Sequence, residues 1–182
     1  MSKKLALPQA YLDLYQEIRK RYPRRIYLFQ PRLEEYVRYL SYLPLPPGPA
    51  LDIGCGSGQF SYCLKQAGYT PYATDITKDD SLHRLYSEAR QALGINLAYP
   101  NFVIHPTQLP NLTQKFSAIT VLRQAFLPPT ISHTAWNELC TKLLSHLLPG
   151  GVLLFDVAKT PMPLPLTPNA EWVEPAILRV QV

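Results

Sequence analysis

The chain has 182 residues, 47% hydrophobic and 17% charged, with a net charge of +5. That length makes one domain with a sizeable buried core, and the composition excludes a disordered or fibrous polymer. The apolar runs are too short to span a bilayer, and the first residues lack the long apolar stretch of a secretory signal. Three widely spaced cysteines, Cys55, Cys63 and Cys140, form neither a disulfide framework nor a zinc-ligand pattern. A reducing, cytoplasmic setting without a bound metal is therefore expected.

Residues 8–22 have helical spacing, with Tyr11, Leu12, Leu14, Tyr15 and Ile18 on one apolar face, and Pro23 ends the pattern. A second helix is predicted over about 31–43, followed by a stiff proline-rich connector to residue 49. The first 45 residues carry nine Lys/Arg against four acids, which is the whole net charge, and seven of the twelve tyrosines. Such a lobe attracts nucleic acid or other anions. The blander reading, a solvated helical face over packed tyrosines, is preferred.

From residue 50 short apolar runs alternate with helical periods, the pattern of βαβ units and a parallel sheet. The first strand, 50–53, runs into Gly54, Gly56 and Gly58 and then into a helix closed by Gly68. Glycine is needed where φ is positive or where a ligand approaches with no Cβ in the way, and a helix entry presents free N–H groups. The spacing is not the dinucleotide fingerprint G-x-G-x-x-G, because Gln59 occupies its third glycine position. Further strands are predicted at 72–75, 102–104, 118–122 and 152–157. Helices are predicted from about residue 79 to Gly94 and along the face containing Trp136, Leu139, Cys140, Leu143, Leu144 and Leu147.

Three features in order, D-x-G-x-G-x-G over 52–58, Asp75 closing the second strand, and Leu-Pro-Gly-Gly leading into 152–156, resemble the class I S-adenosylmethionine-dependent methyltransferases. The resemblance covers residues 50 to about 157. It implies an α/β, Rossmann-like three-layer sandwich with a mainly parallel central sheet over 50–182, preceded by an N-terminal helical extension over 1–49. The complete fold has seven strands. Only 26 residues, five of them proline, follow Asp156, so one strand over 177–182 and a shortened C-terminal strand region are predicted.

The implied cofactor is S-adenosyl-L-methionine. Gly54, Cys55, Gly56 and Gly58 would wrap its methionine end, and Asp75 with Ile76 would meet its ribose. His105 and Thr107 stand where the family's adenine-binding acid lies, and Leu122 closes the fourth strand beside the site. Asp52 has two readings, a partner of the methionine amino group or a brace of the glycine turn. The first is favoured because a carboxylate buried at a sheet edge needs compensating partners. Cys55 is a small residue in a crowded turn with no neighbouring base, so it is not a nucleophile.

The activity implied is methyl transfer to an unidentified, small-molecule acceptor. Arg123, Tyr22 and Tyr27 are candidate substrate contacts; no dedicated base is required, and His105 or N-terminal tyrosines such as Tyr22 and Tyr27 are candidates for one. Two alternatives stand beside it: a catalytically silent cofactor-binding protein, and an RNA- or DNA-associated methyltransferase using the basic N-terminal helices.

Overall fold

A computed structural model describes residues 5–101, 112–122, 132–156, 170–174 and 177–182. Seven strands occur among them: β1 (Pro49–Ile53), β2 (Thr70–Asp75), β3 (Leu97–Pro100), β4 (Phe116–Val121), β5 (Leu147–Asp156), β6 (Ala170–Glu174) and β7 (Ile177–Gln181). The helices are α1 (Gln9–Arg21), α2 (Leu33–Leu40), α3 (Gln59–Gln66), α4 (Ser81–Leu93) and α5 (His133–Ser145). All strands join one sheet in the order β3-β2-β1-β4-β5-β7-β6. β1 to β5 pair in parallel, and β7 is antiparallel to both β5 and β6.

Side-chain alternation divides the core into layers. Leu51 and Ile53 of β1, Ile119 and Val121 of β4, and Leu153 and Phe155 of β5 pack with Leu139, Cys140 and Leu143 of α5. Ala50, Ala118, Val152 and Leu154 face the other way, onto α2 and α3. A third cluster joins Tyr11 and Ile18 of α1, Phe29, and Leu85, Ala89 and Leu93 of α4. The central strands are thus covered on both faces, as parallel sheets require.

Local chemistry sets the helix limits. Asp80 caps α4, its carboxylate accepting from Leu82 and His83 N–H, and Gly94 ends the helix at φ 64°. Ser132 caps α5 through the Ala135 N–H. The N-terminal helices pack directly on the sheet's helical layer. Tyr36 and Tyr39 of α2 set their rings 5.4 and 6.4 Å from Phe60 of α3, and Arg38 pairs with Glu174 of β6 at 2.7 Å.

One expectation about strands falls outside the described residues and another needs correction. The strand expected over 102–104 lies outside the described residues, and the strand beside β2 is instead Leu97–Pro100. Gly94 turns the chain at once, with Ile95 N–H on the Arg90 carbonyl at 2.9 Å, so extended backbone starts earlier than the apolar run suggested. The C-terminal residues supply two strands, not one. β6 went unread because it is an edge strand with Glu171 and Trp172 exposed, and carries no clean apolar alternation. The sheet therefore has its reversed hairpin, with β7 inserted between β5 and β6. No helix among the described residues is long and apolar enough to cross a membrane.

Candidate functional site

The site is built where β1 and β2 end side by side. Beyond β1 the chain passes through Gly54, Gly56 and Gly58 at φ 69°, 52° and 80°, all left-handed. Backbone bonds fix this loop against β2: Cys55 N–H donates to the Thr74 carbonyl at 2.8 Å and Gly54 N–H to Thr74 Oγ1 at 3.3 Å. Gly58 N–H then closes a turn on the Cys55 carbonyl at 2.8 Å.

The glycines face different surroundings. A Cβ on Gly56 would meet nothing nearer than the Tyr86 ring, at 3.8 Å. At Gly58 it would strike Arg90 Cγ at 2.9 Å, with Ile95 3.6 Å away. A Cβ at Gly56 would make only ordinary contact with Tyr86, so its positive φ is what calls for glycine, whereas Gly58 also leaves room for the Arg90 stem beneath the loop.

Asp52 lies at 2% exposure. Ser61 Oγ of α3 donates to its Oδ2 at 2.5 Å, and Thr120 Oγ1 of β4 to its Oδ1 at 3.1 Å. Burial pushes its carboxyl up to about 6, against the lowering effect of these hydroxyls. Of the two readings open in the sequence, these bonds describe the brace, which ties β1, α3 and β4 together beneath the loop.

Asp75 is placed differently. Its Oδ1 accepts from Ile76 N–H at 2.8 Å, and Arg90 Nη1 lies 3.4 Å from Oδ2. Burial raises its carboxyl above the usual range, while the Ile76 N–H and Arg90 pull it down. Ile76 follows it, half-buried at the start of the β2–α4 connection. Asn101, at φ 61°, steadies that connection by accepting from Thr77 N–H at 2.9 Å.

Tyr86 stands over the loop, its ring 5.3 Å from Phe29, and burial with the nearby Asp75 charge pushes its phenol up to about 12. Tyr27, 59% exposed, reaches the same neighbourhood, while Tyr22 is exposed at the end of α1. The Cys55 thiol is held well above its ordinary value, by burial first and then by Asp52 and Asp75, so it stays protonated. Leu122 is buried just past β4, in the layer shared with α2 and α3. His105, Thr107 and Arg123 lie outside the described residues.

Sequence reasoning missed Gln59, Arg90 and Asn101. Gln59, 2% exposed, donates to the Gln30 carbonyl at 3.2 Å and to Ser57 Oγ at 3.3 Å, and accepts from Arg32 N–H at 3.2 Å. The Tyr11 hydroxyl donates to the Phe29 carbonyl at 2.8 Å. The N-terminal segment is thereby hydrogen-bonded into the glycine loop. Asn directly after Pro100 was a readable sign, since Asn tolerates positive φ. Arg90 and Gln59 sit in amphipathic helices and give no such sign.

No protein-family model and no curated protein matches the chain. Solved structures are similar to it. An S-adenosylmethionine-dependent methyltransferase from Clostridium acetobutylicum ATCC 824 aligns with a TM-score of 0.50 at 18% identity, over 79% of this chain and 56% of that one. A ribosomal protein methylase from Lactobacillus delbrueckii subsp. bulgaricus aligns at 0.49 and 18% identity, over 80% and 74%. An amino pentose methyltransferase from Micromonospora echinaspora aligns at 0.45 and 18% identity, over 84% and 51%. The chain spans about half the length of the first structures it matches. The similarity and the strand order show that it has the class I Rossmann-like methyltransferase fold.

Proposed function

We propose that the chain binds S-adenosyl-L-methionine across the tips of β1 and β2 and transfers its methyl group to a small-molecule acceptor. The observation that carries this reading is Asp75 at the tip of β2 beside the glycine loop, where the Gly56 N–H reaches its carboxylate. An ionised carboxylate has about four lone-pair sites. The Ile76 N–H, the Gly56 N–H and Arg90 use three, which leaves acceptor capacity for a ribose hydroxyl. Gly56 leaves room for the backbone itself to meet the ligand, so the residues present fit this cofactor.

When bound, the cofactor supplies a methyl group on a sulfonium, open to in-line displacement by an O, N or C nucleophile. The chain's part is alignment and the exclusion of water, where proximity is worth up to roughly 7–11 kcal/mol. The glycine loop holds the methionine end, and Asp75 and Ile76 hold the ribose. We assign His105 and Thr107 to the adenine and Leu122 to the inner wall. Arg123, Tyr22 and Tyr27 are assigned to the acceptor, under a cap formed by residues 1–49. Asp52 acts through the loop. The three cysteines are free thiols, which supports a reducing, cytoplasmic setting.

Calorimetry with S-adenosylmethionine and S-adenosylhomocysteine tests the reading. Both should bind the wild-type chain. Asp75→Asn keeps an acceptor for Arg90 but loses the charge, and charge-assisted hydrogen bonds are worth roughly 1.5–3 kcal/mol each, so affinity should fall about tenfold or more. An unchanged Kd removes Asp75 from the site, and absence of binding by the wild type overturns the proposal. A methyl-transfer screen against small molecules then separates an enzyme from a silent binder.

A further inference from the structure

We infer that Arg90 is the positioning residue of this site, one side chain that sets both the curve of the glycine loop and the direction of the Asp75 carboxylate. The inference rests on the cofactor reading for its functional meaning, and on geometry for its substance. Arg90 is 6% exposed, near the end of α4. Its Nη1 donates to the Gly56 carbonyl at 2.7 Å and lies 3.4 Å from Asp75 Oδ2, and the guanidinium also lies beside the Cys55 thiol. Three consecutive features of the site thus converge on one buried cation.

The surrounding chain is adapted to admit it. Gly58 carries no Cβ where the Arg90 stem passes. The Arg90 carbonyl receives the Gly94 and Ile95 N–H groups, which hold the last turn of α4 in register. A buried guanidinium is costly unless it is paired, and here its partners are the loop and the carboxylate themselves. Asp75 is held by the Ile76 N–H on Oδ1, by the Gly56 N–H and by Arg90 on Oδ2. Removing Arg90 releases one of these holds. Besides Arg90, the titratable groups facing Asp75 are Asp52 on β1, Cys55 in the loop, and His83 and Tyr86 on α4.

A residue that serves packing alone would move stability and nothing else, so the test reads two other quantities in Arg90→Met and Arg90→Lys. The first is the dissociation constant of S-adenosylhomocysteine, expected to rise roughly tenfold or more in Arg90→Met and to be partly restored in Arg90→Lys. The second needs no ligand. The Asp75 carboxyl, followed by carbon-13 NMR through a pH titration, should titrate higher in Arg90→Met than in the wild type, with Arg90→Lys between them. A folded Arg90→Met with wild-type affinity and an unmoved Asp75 midpoint overturns the inference. If Arg90→Met does not fold, the same two measurements on Arg90→Lys decide it, wild-type values in both overturning it. A wild-type chain that binds no S-adenosylhomocysteine refutes the cofactor reading, and the ligand-free titration still decides whether Arg90 governs Asp75.

Discussion

Two adjacent strands each carry an aspartate at or next to their last residue, and the two acids sit in opposite surroundings. Asp52 at the tip of β1 turns inward, where Ser61 and Thr120 occupy both its oxygens. Asp75 at the tip of β2 is held by the Ile76 and Gly56 N–H groups and by Arg90, but it stays partly exposed beside the loop where Asp52 is sealed. The glycines differ too, a Cβ at Gly58 striking Arg90 while one at Gly56 would only touch the Tyr86 ring. Under the proposed reading, the acid left partly exposed at the loop is the one offered to a ligand, and the sealed acid is the brace.

The largest expected effect separates the two glycines. Gly56→Val places a branched side chain on the loop where the proposed cofactor lies and should remove measurable cofactor binding. It should also cost about 1–3 kcal/mol of stability, because φ is 52° there. Gly58→Ala should instead act on stability, through φ 80° and the 2.9 Å approach to Arg90 Cγ, and weaken binding only as far as Arg90 moves. Thermal unfolding and calorimetry on both variants check this. A Gly56→Val protein that folds and binds normally would make the loop purely structural.

This contrast also marks what was legible in the chain. The glycine spacing, Asp75, the helix over 59–66 and the Gly94 stop all follow from local chemistry, which depends on residues near in sequence. Asp52's role was not legible, because its partners lie 9 and 68 residues away. Arg90 meets the carbonyl of a residue 34 positions earlier, and nothing on its own helix distinguishes it from a solvated arginine. β6 has an exposed edge pattern that period-2 reading discards, and the prolines of the C-terminal stretch obscured it further. Local propensity shows the elements, and only packing shows which side of an element is already occupied.

An intermediate effect concerns Asp52. Its carboxyl titrates at about 6 in the folded protein against 3.8 as a free side chain, so the folded state holds the proton more tightly. The stability from that proton is fully present below about pH 3.8 and is lost as pH rises through about 6. The loss amounts to roughly 2–3 kcal/mol. Asp52→Asn keeps polar partners for Ser61 and Thr120 but cannot ionise. The wild type should lose stability relative to Asp52→Asn by that amount between pH 4 and pH 7, as read from urea unfolding. A difference that stays flat with pH would show that the β1 acid is not sealed, and would dissolve the contrast with Asp75.

The smallest effect lies away from both tips, on the basic N-terminal surface. Arg21 pairs with Glu17 at 2.7 Å with both side chains half or more exposed, and Arg25 donates to Ser81 Oγ at 2.8 Å. Arg19, Lys20 and Arg24 are exposed. Exposed pairs of this kind contribute about 0–1 kcal/mol, so replacing Arg19, Arg21, Arg24 and Arg25 with Gln should barely move the unfolding midpoint. Cofactor affinity should also stay within about twofold, because the charges nearest the loop are the half-buried Asp75 and the buried Arg90, which solvent screens less than the exposed arginines. The same variant tests the acceptor. A nucleic-acid acceptor requires wild-type binding to RNA or DNA that weakens steeply with salt as counterions are released, and a flatter slope in the variant. The small-molecule reading requires no such binding even at low salt. Steep, arginine-dependent RNA binding would transfer the acceptor role to this surface while leaving the assignments at the two strand tips intact.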